Sequence, residues 1–382
     1  MKIGIVCYPT FGGSGVVATE LGLGLADKGH DVHFITYKRP VRLTAFHANV
    51  YFHEVTSMQY PLFEYTPYET SLASKMVDVI RFEKLDILHV HYAIPHAAVA
   101  YMAKQILKSQ NIHIPVVTTL HGTDITLVGN DISFAPVVEF SINESDGVTA
   151  VSEQLRQETL DSFQIKKDIK VIHNFIDFSR FRKTNKDHFR KAIAPEGEKI
   201  LVHISNFRKV KRVEDVIHIF AKVSKVVRTK LLLIGDGPER KSMEDLCRSL
   251  HLCDEIRFLG KQEAVEELLA IADLFILPSQ NESFGLAALE AMACEVPVIS
   301  SNAGGLPEVN IDGVTGYLCD IGDVDSMAAR CIELLQDEES LAVFRKNAFL
   351  QAKRFDINEV LPQYENFYLE IIKKVKEPSY AV

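Results

Sequence analysis

Short apolar runs alternate with longer helix-like segments along this chain, and the whole alternation occurs twice. Several of the runs lack a polar face, which is typical of parallel strands that are covered on both sides. A repeated order of strand and helix predicts a doubly wound parallel sheet. We therefore expect an α/β fold with two Rossmann-like domains, and a chain of 382 residues is long enough for two cores.

The point at which the alternation pauses predicts the domain boundary. Strands are predicted first at residues 3–7, 32–36, 87–91, 116–120 and 148–151, with helices between them such as 16–28 and 97–110. After a polar stretch, strands are predicted at 200–204, 231–234, 256–259, 274–277 and 298–300. We assign 1–172 and 173–357 to the two domains and expect a C-terminal helix at about 358–382 to pack back on the first. Such sheets bind ligands beyond the carboxyl ends of their strands, so two facing domains predict an interdomain cleft.

The net charge of −9 and the distribution of apolar residues restrict the partners of the chain. An acidic chain does not offset phosphate repulsion, so we expect no nucleic-acid partner. No run of about 18 uncharged apolar residues and no signal segment is evident, so we expect no membrane span and no leader. Six cysteines without a CxxC pair are typical of a reducing compartment. We expect a soluble, cytoplasmic protein, and a homo-oligomer is as compatible with these features as a monomer.

A glycine-rich turn, Gly12-Gly13-Ser14-Gly15, lies between the first predicted strand and the first helix. Glycine lets the backbone approach a ligand closely, and the first amides of a helix can bind an anion. The spacing differs from the GxGxxG dinucleotide fingerprint. The turn therefore indicates either an anion site or only a tight connection between strand and helix.

Histidines and a tyrosine follow the third predicted strand. His89 and His91 lie two residues apart on one strand face, and Tyr92 could donate a hydrogen bond to an acceptor. A metal pair is conceivable, but no third ligand is evident. We therefore predict a packed or hydrogen-bonded histidine pair and no metal site.

The fourth predicted strand ends in Thr119, and His121-Gly122-Thr123-Asp124 comes after it. His121 and Asp124 could present polar groups to sugar hydroxyls, or form an orienting pair for a general base. A capped turn with Asp124 near a helix start is the alternative.

The first strand of the second half is followed by a basic loop that reads NFRKVKR from Asn206 to Arg212. Four cations within five positions suit a diphosphate, which needs positive charge and several donors. Not all four side chains can point inward, so one or two should face solvent. A solvated charged loop without a ligand is the alternative.

Two glutamates, Glu282 and Glu290, enclose seven residues that begin a helix. The amides near Phe284, Gly285 and Leu286 would lie at the helix N-terminus, where they can bind a phosphate or a sugar hydroxyl. Glu290 falls about two turns later in an apolar helix, where an unpaired carboxylate is costly. Either a ribose diol or a structural ion pair would satisfy its carboxylate.

Two further motifs lie downstream. A second glycine loop, AGGLPE, occupies residues 303–308 after a predicted strand. The sequence Asp323-Val324-Asp325 precedes a helix-like run, so we interpret it as a helix-start cap.

Together these motifs resemble the retaining GT-B glycosyltransferases of family 4 over nearly the whole chain. The resemblance rests on the Glu-x7-Glu element, the basic loop and the second glycine loop. The segments CYPTFGGSG, HVHYAIPHA, TTLHGTD and SNFRKVKR are most similar to members that transfer N-acetylglucosamine from UDP-N-acetylglucosamine to L-malate in bacillithiol biosynthesis. The resemblance implies a GT-B fold whose N-terminal domain binds the acceptor and whose C-terminal domain binds the nucleotide sugar.

The resemblance also implies roles for individual residues. Those expected to bind the donor are Gly13, Ser14, Asn206, Arg208, Lys211, Glu282, Ser283, Phe284, Gly285, Leu286 and Glu290. Those expected to bind the acceptor are Ser14, Tyr92, Thr119 and His121. The catalytic set is expected to be His121, Arg208, Lys211 and Glu282. Among these, Glu290 would bind the ribose, and Lys211 with Arg208 would neutralise the diphosphate.

One departure from the family pattern concerns the phosphate-binding cations. Many members carry Gly-Arg where this chain has Ser205-Asn206, so we assign the second cation to Arg208. The cation for the malate carboxylates is open, with Lys38, Arg39 and Arg156 as candidates.

The family implies attack on the same face of the sugar that the leaving group departs from, with no metal and no other cofactor. The departing UDP phosphate would accept the proton of the malate hydroxyl, while the protein positions substrates and stabilises charge. A protein carboxylate acting as nucleophile is the alternative mechanism. The alternative functions are transfer to a sugar, inositol phosphate or lipid, epimerisation of UDP-N-acetylglucosamine, and a non-catalytic nucleotide-sugar sensor.

Overall fold

A computed structural model describes residues 1–10, 12–57, 66–127, 129 and 131–376 of the chain. Contacts divide the chain into two units. The first unit comprises Met1–Asn174 and the chain from Ile357 onward, and the second unit comprises Phe175–Asp356. Each unit contains its own parallel sheet flanked by helices.

The sheet of the first unit has seven strands in the order β3-β2-β1-β4-β5-β6-β7, and all of its pairings are parallel. Its strands are β1 (Lys2–Val6), β2 (Asp31–Thr36), β3 (Val50–Glu54), β4 (Ile87–His91), β5 (Val116–Leu120), β6 (Gly147–Ala150) and β7 (Ile169–Val171). The five strands predicted for this half are confirmed, and β3 and β7 at the two edges are additional. Strand order reverses between β1 and β4, which opens a crevice beyond their carboxyl ends.

Six α-helices belong to the first unit as far as its residues are described. They are α1 (Gly13–Asp27), α2 (Tyr68–Glu83), α3 (Ala98–Lys108), α4 (Ala135–Glu144), α5 (Glu153–Ser162) and α14 (Ile357–Lys376). The last of these packs against α1, where a side chain at Gly24 would come within 2.8 Å of Leu361 Cδ1. Its tyrosines Tyr364 and Tyr368 are fully buried, so the end of the chain contributes to the core that it returns to.

The sheet of the second unit has six parallel strands in the order β10-β9-β8-β11-β12-β13. Its strands are β8 (Lys199–Ile204), β9 (Thr229–Ile234), β10 (Ile256–Gly260), β11 (Leu274–Leu277), β12 (Val298–Ser301) and β13 (Gly316–Cys319). The five predicted strands are again confirmed, with β13 additional. Strand order reverses between β8 and β11, so this unit also has a crevice at its switch point.

Eight helices cover the second sheet. They are α6 (Asp187–Ile193), α7 (Val213–Val223), α8 (Arg240–Ser249), α9 (Val265–Leu269), α10 (Leu286–Ala293), α11 (Leu306–Val309), α12 (Val324–Gln336) and α13 (Glu338–Ala352). The predicted helix-start cap is confirmed at α12, where the Asp323 carboxylate accepts the Ser326 amide at 2.9 Å. Within the described ranges, no helix combines the length and apolar content that crossing a membrane requires.

Candidate active site

The glycine-rich turn after β1 brings backbone amides to the crevice of the first unit. A side chain at Gly15 would meet the carbonyl oxygens of Tyr8 and Thr10 at 2.4 and 2.6 Å, so the close turn requires glycine there. Gly12 precedes α1 in an extended conformation, and no side chain at this N-cap position bonds to the helix. Within the described part of the turn, the first amides of α1 therefore have no capping side chain, as an anion site requires.

The structure brings together three of the four residues that we predicted to bind the acceptor. The Tyr92 hydroxyl donates to Ser14 Oγ at 2.6 Å, which links the end of β4 to the start of α1. The rings of Tyr92 and His121 lie 5.1 Å apart. Burial raises the pKa of Tyr92 to about 12, so its hydroxyl keeps its proton and remains a donor at neutral pH.

His121 is held by a second histidine rather than by a carboxylate. Its Nε2 lies 2.8 Å from Nδ1 of His91, so only its Nδ1 is left to meet a ligand. Burial and then the nearby His96 lower the pKa of His121 to about 3. The ring is therefore neutral at physiological pH and can exchange a hydrogen bond with a sugar or an acceptor, but it does not offer positive charge.

Asp124 organises the backbone of this site instead of pairing with a ring. Its carboxylate accepts the amides of His121 at 3.2 Å and Gly122 at 3.0 Å in its own loop, and of Ala93 at 2.9 Å in the loop after β4. The Asp124 carboxylate binds amides and His121 Nε2 faces His91, so the orienting pair of His121 and Asp124 side chains was a wrong prediction. The alternative, a capped turn near a helix start, is confirmed, because Asp124 lies in the first turn of the helical segment Thr123–Leu127 and accepts amides of the turn before it. Burial raises the pKa of Asp124 to about 6, against the opposing effect of these amides.

The hydroxyl of Thr119 is bonded to protein groups and is not available to an acceptor substrate. It is fully buried, and its Oγ1 lies 2.7 Å from both His89 Nε2 and Thr149 Oγ1. His89 Nδ1 in turn lies 2.7 Å from the hydroxyl of Tyr368. Thr119 is thus a positioning residue. Its hydroxyl is hydrogen-bonded to His89 and Thr149, and His89 is in turn hydrogen-bonded to the C-terminal helix.

The histidine pair of β4 is hydrogen-bonded, as predicted. The rings of His89 and His91 lie 4.4 Å apart, and each ring is bonded to a protein partner on a neighbouring element. Among the described residues, the one group of at least three metal-ligating side chains is His33, His53 and Glu83, which lies away from this pair.

The candidate cations for the malate carboxylates differ in their availability. Lys38 and Arg39 are exposed directly after β2, at the carboxyl edge of the sheet. Arg156 is already engaged, because it lies 2.6 Å from Glu153 and donates to the Ile169 carbonyl at 3.1 Å. The structure therefore favours Lys38 and Arg39 over Arg156 as the cations that would bind the malate carboxylates.

The basic loop after β8 contains two paired cations and two exposed ones. Lys211 Nζ lies 2.6 Å from Glu282 Oε1, and Arg212 Nε lies 2.6 Å from Asp215. Arg208 and Lys209 are exposed, in agreement with the expectation that one or two cations face solvent. Asn206 is exposed at the start of the same loop.

Hydrogen bonds hold both the side chain and the backbone of Glu282. The Ser279 hydroxyl donates to its Oε1 at 2.9 Å, and its backbone carbonyl accepts the amide of Gly305 at 2.8 Å. Gly304, at φ 55°, approaches so closely that a side chain there would lie 2.0 Å from the Glu282 carbonyl oxygen. The second glycine loop therefore holds the loop that carries Glu282.

A buried ring and a glycine shape the turn between Glu282 and α10. Phe284 is buried, with its ring 5.5 Å from that of Phe355 in an edge arrangement. Gly285 adopts φ 96°, a left-handed conformation that favours glycine, and α10 begins at the next residue. The amides of this turn therefore lie at the start of α10, the position at which the sequence predicted donors for a ligand.

Glu290 lies within α10 and is buried, with 7% of its surface exposed. It follows Leu286 by four positions, so the two share one face of the helix. Its charge contributes, after burial, to raising the pKa of Cys294 to about 12. The structure thus places a carboxylate inside an apolar helix two turns beyond the loop of Glu282.

Sequence reasoning missed several residues that shape these sites. Tyr364 and Tyr368 lie one turn apart on α14, and their spacing on an apolar helix face was an available signal for burial. Ser279 and Gly304 carried no comparable signal. Their roles depend on the path of a neighbouring loop, which periodicity does not encode.

Comparisons with known proteins agree with this architecture. Residues 11–180 match the family described as Glycosyltransferase Family 4, and residues 184–351 match the family described as Glycosyl transferases group 1. The chain is 50% identical over 382 residues to the N-acetyl-alpha-D-glucosaminyl L-malate synthase of Bacillus anthracis, covering 98% of each chain. It is 26% identical to the D-inositol 3-phosphate glycosyltransferase of Thermobispora bispora, over 95% of this chain and 91% of that protein.

Solved structures show the same fold at lower identity. Anabaena HepE in complex with UDP-glucose superposes with a TM-score of 0.82 at 21% identity, covering 97% of this chain and 100% of that one. The sucrose-phosphate synthase of Thermosynechococcus elongatus gives a TM-score of 0.81 at 20% identity, over 97% and 99% of the two chains.

Proposed function

The chain belongs to the family 4 glycosyltransferases, and on that basis we propose that it transfers N-acetylglucosamine from UDP-N-acetylglucosamine to the hydroxyl of L-malate. The observation that carries this proposal is the 50% identity, over 98% of both chains, to a relative named for that product. In this proposal the reaction serves bacillithiol biosynthesis, and UDP is released.

The geometry of the second unit supports a UDP-sugar donor. Lys211 and the amides before α10 supply positive charge and donors near one carboxylate, Glu282. The cations would bind the diphosphate, and the Glu282 carboxylate would accept hydrogen bonds from sugar hydroxyls. Glu290 would accept both hydroxyls of the ribose, because its buried carboxylate lies on α10 close after the loop of Glu282.

The geometry of the first unit supports a small anionic acceptor. Ser14 and Tyr92 form a hydroxyl pair beside the uncapped start of α1, and His121 offers a neutral ring nitrogen next to them. The helix amides and the exposed cations after β2 would bind carboxylates, and the hydroxyl pair would orient the nucleophile.

We further propose that the transfer retains the configuration of the donor sugar. In this mechanism the malate hydroxyl attacks the anomeric carbon from the side of the leaving group, and the C–O bond to UDP breaks. The proton of the hydroxyl passes to the departing phosphate. Lys211, Arg208 and helix amides lower the barrier by stabilising the charge that develops on UDP, so no metal is required.

Mass-resolved product analysis tests the substrates directly. Purified protein is incubated with UDP-N-acetylglucosamine in EDTA, with and without L-malate. UDP release and a glucosaminyl-malate product that depend on malate would support the proposal, and proton NMR of the product would report its anomeric configuration. Donor consumption without malate would contradict it in favour of an epimerase or hydrolase.

Substitution of Glu290 tests the ribose assignment. Glu290→Ala should abolish transfer and weaken UDP binding, measured by calorimetry, while far-ultraviolet circular dichroism stays unchanged. Glu263→Ala serves as the control, because Glu263 is an exposed carboxylate of the same unit. Equal UDP affinity in the Glu290 variant and the control would refute the assignment.

A further inference from the structure

A cluster of three metal-ligating side chains lies at one edge of the first sheet, apart from the residues assigned to transfer. His33 on β2 and His53 on β3 project from the same face, since His33 pairs with Tyr51 and His53 follows two residues later. Their rings are nearly parallel, at an angle of 16° and a centroid distance of 5.3 Å. Glu83, the last residue of α2, supplies the third side chain.

The spacing of these ligand atoms suits one metal ion. His33 Nδ1 and His53 Nε2 lie 3.0 Å apart, and the ligand atoms of all three residues lie within 4.8 Å of one another. Zinc bonds of about 2.0–2.1 Å in a tetrahedral site hold two nitrogens roughly 3.3 Å apart. The two imidazoles are therefore already close to the separation that a shared zinc ion imposes.

Both imidazoles are prepared to act as ligands. His33 Nδ1 and His53 Nε2 face each other at hydrogen-bond distance, so these are the two nitrogens that would bind the ion, and one of them carries the shared proton in the metal-free protein. His33 Nε2 is buried without a partner among the described residues, so this ring can carry its proton there when Nδ1 binds zinc.

Access and ligand chemistry point to zinc in particular. His33 is buried, whereas His53 and Glu83 are half-buried, which leaves a route for the ion and room for water as a fourth ligand. Two imidazoles and one carboxylate form a borderline ligand set that suits zinc better than calcium or magnesium, which prefer oxygen ligands alone. We propose that His33, His53 and Glu83 bind one zinc ion, which ties the end of α2 to β2 and to the edge strand β3.

The proposal predicts stability effects that are separable from transfer. An ion that binds only the folded state stabilises it in proportion to the logarithm of its concentration above Kd. Zinc should therefore raise the midpoint of thermal unfolding of the full chain after metal has been removed with EDTA. Transfer in EDTA should be unaffected by His53→Ala, because His53 belongs to neither the donor nor the acceptor set.

The test is titration of metal-free protein with zinc chloride by calorimetry, with cobalt(II) absorption as a spectroscopic check of coordination. We expect one zinc per chain, and at least about a tenfold loss of affinity in His53→Ala and Glu83→Gln. The matched controls are His113→Ala and Glu69→Gln, which alter an exposed histidine and an exposed glutamate of the same unit and should bind as the unaltered chain does. Circular dichroism in EDTA verifies that every variant is folded.

Two results would overturn the proposal. One is the absence of any zinc binding to the unaltered, folded chain. The other is equal affinity in the His53 and Glu83 variants and in their controls, which would place the bound ion elsewhere. Neither result depends on whether the chain transfers a sugar to malate, so the zinc site and the proposed function are tested independently.

Discussion

Lys211 Nζ lies 2.6 Å from Oε1 of Glu282, and this contact joins the basic loop after β8 to the loop before α10. The two side chains are mostly buried, with 19% and 14% of their surfaces exposed. An ammonium group has three donors, so Lys211 can bind a phosphate oxygen while it remains bonded to Glu282. The pair therefore holds a cation at a defined position in the second unit.

Removal of the Lys211 cation should lower the rate of sugar transfer and leave the protein folded. Lys211→Ala should lower kcat by roughly a hundredfold to a thousandfold, because in the proposed mechanism the departing diphosphate would lose a cationic donor. The rate is measured by UDP release, and circular dichroism monitors the fold. Lys209→Ala, which alters an exposed cation of the same loop, should stay within about twofold of the unaltered chain. Similar rates in the two variants would mean that Lys211 is not the phosphate-binding cation.

Gly304 should control the position of Glu282. A methyl group at Gly304 would lie 2.0 Å from the Glu282 carbonyl oxygen. Gly304→Ala must therefore displace either the second glycine loop or the backbone of Glu282. A displacement of about 1 Å at a reacting centre can cost roughly a hundredfold in rate, and we expect a loss of that size. Gly313→Ala is the control, since Gly313 also has a positive φ of 68° but no atom within 4 Å of the added methyl group. Comparable activity in both variants would contradict this role.

The hydroxyl of Tyr92 should act on the acceptor and not on the donor. Tyr92→Phe removes the 2.6 Å bond to Ser14, and one hydrogen bond contributes about 1 kcal/mol, or roughly fivefold in kcat/KM for the acceptor. The KM for UDP-N-acetylglucosamine should not change. Steady-state kinetics with each substrate varied in turn separate the two effects. Tyr101→Phe on α3 is the matched control, and an equal change in both KM values would argue against an acceptor role.

Acid should destabilise the first unit through its buried histidines. Burial lowers the pKa of His89 and His121 to about 3 and of His96 to about 4, and it holds that of His91 well below 6.5. Below pH 6.5 the unfolded chain therefore binds more protons, and the free energy of unfolding falls as the pH decreases toward 4. Each histidine contributes about 1.4 kcal/mol per pH unit in this window. Asp124, with its pKa raised to about 6, opposes the trend between about 4 and 6.

Urea denaturation between pH 4.5 and 7 measures this dependence. His96→Asn should reduce the slope of unfolding free energy against pH, because one histidine no longer takes up a proton on unfolding. His113→Asn, at an exposed site, should leave the slope unchanged. An unaltered slope in the His96 variant would show that burial of that ring does not contribute to acid sensitivity.

The strands that run through each sheet were predictable from the sequence, whereas the edge strands were not. Apolar runs such as Val116–Leu120 must be covered on both faces, so local hydrophobicity alone identifies them. The edge strand Val50–Glu54 has three exposed positions and no such run. Its existence depends on pairing with Asp31–Thr36, a contact that a local pattern does not contain.

Candidate site residues were recognisable by type and by position at strand ends, but their partners were not. Ser14, Tyr92 and His121 do come together, because the carboxyl ends of β1, β4 and β5 meet at one edge of the sheet. Thr119 occupies the same edge, yet its hydroxyl turns toward His89 and Thr149. A one-dimensional pattern identifies a strand end without specifying which polar group its side chain will meet.

By itself the sequence determined the two successive strand–helix alternations, the glycine turns and the clustering of polar residues after particular strands. These features depend on hydrophobic periodicity and on backbone freedom, which act over a few neighbouring residues. Only the tertiary structure decided which side chains remain available, since a partner can come from any part of the chain. The His89 ring is bonded to Tyr368, 279 residues later, because the C-terminal helix packs on the first sheet. Such a contact depends on long-range packing. That packing determines whether a polar side chain binds another protein group or remains available to a ligand.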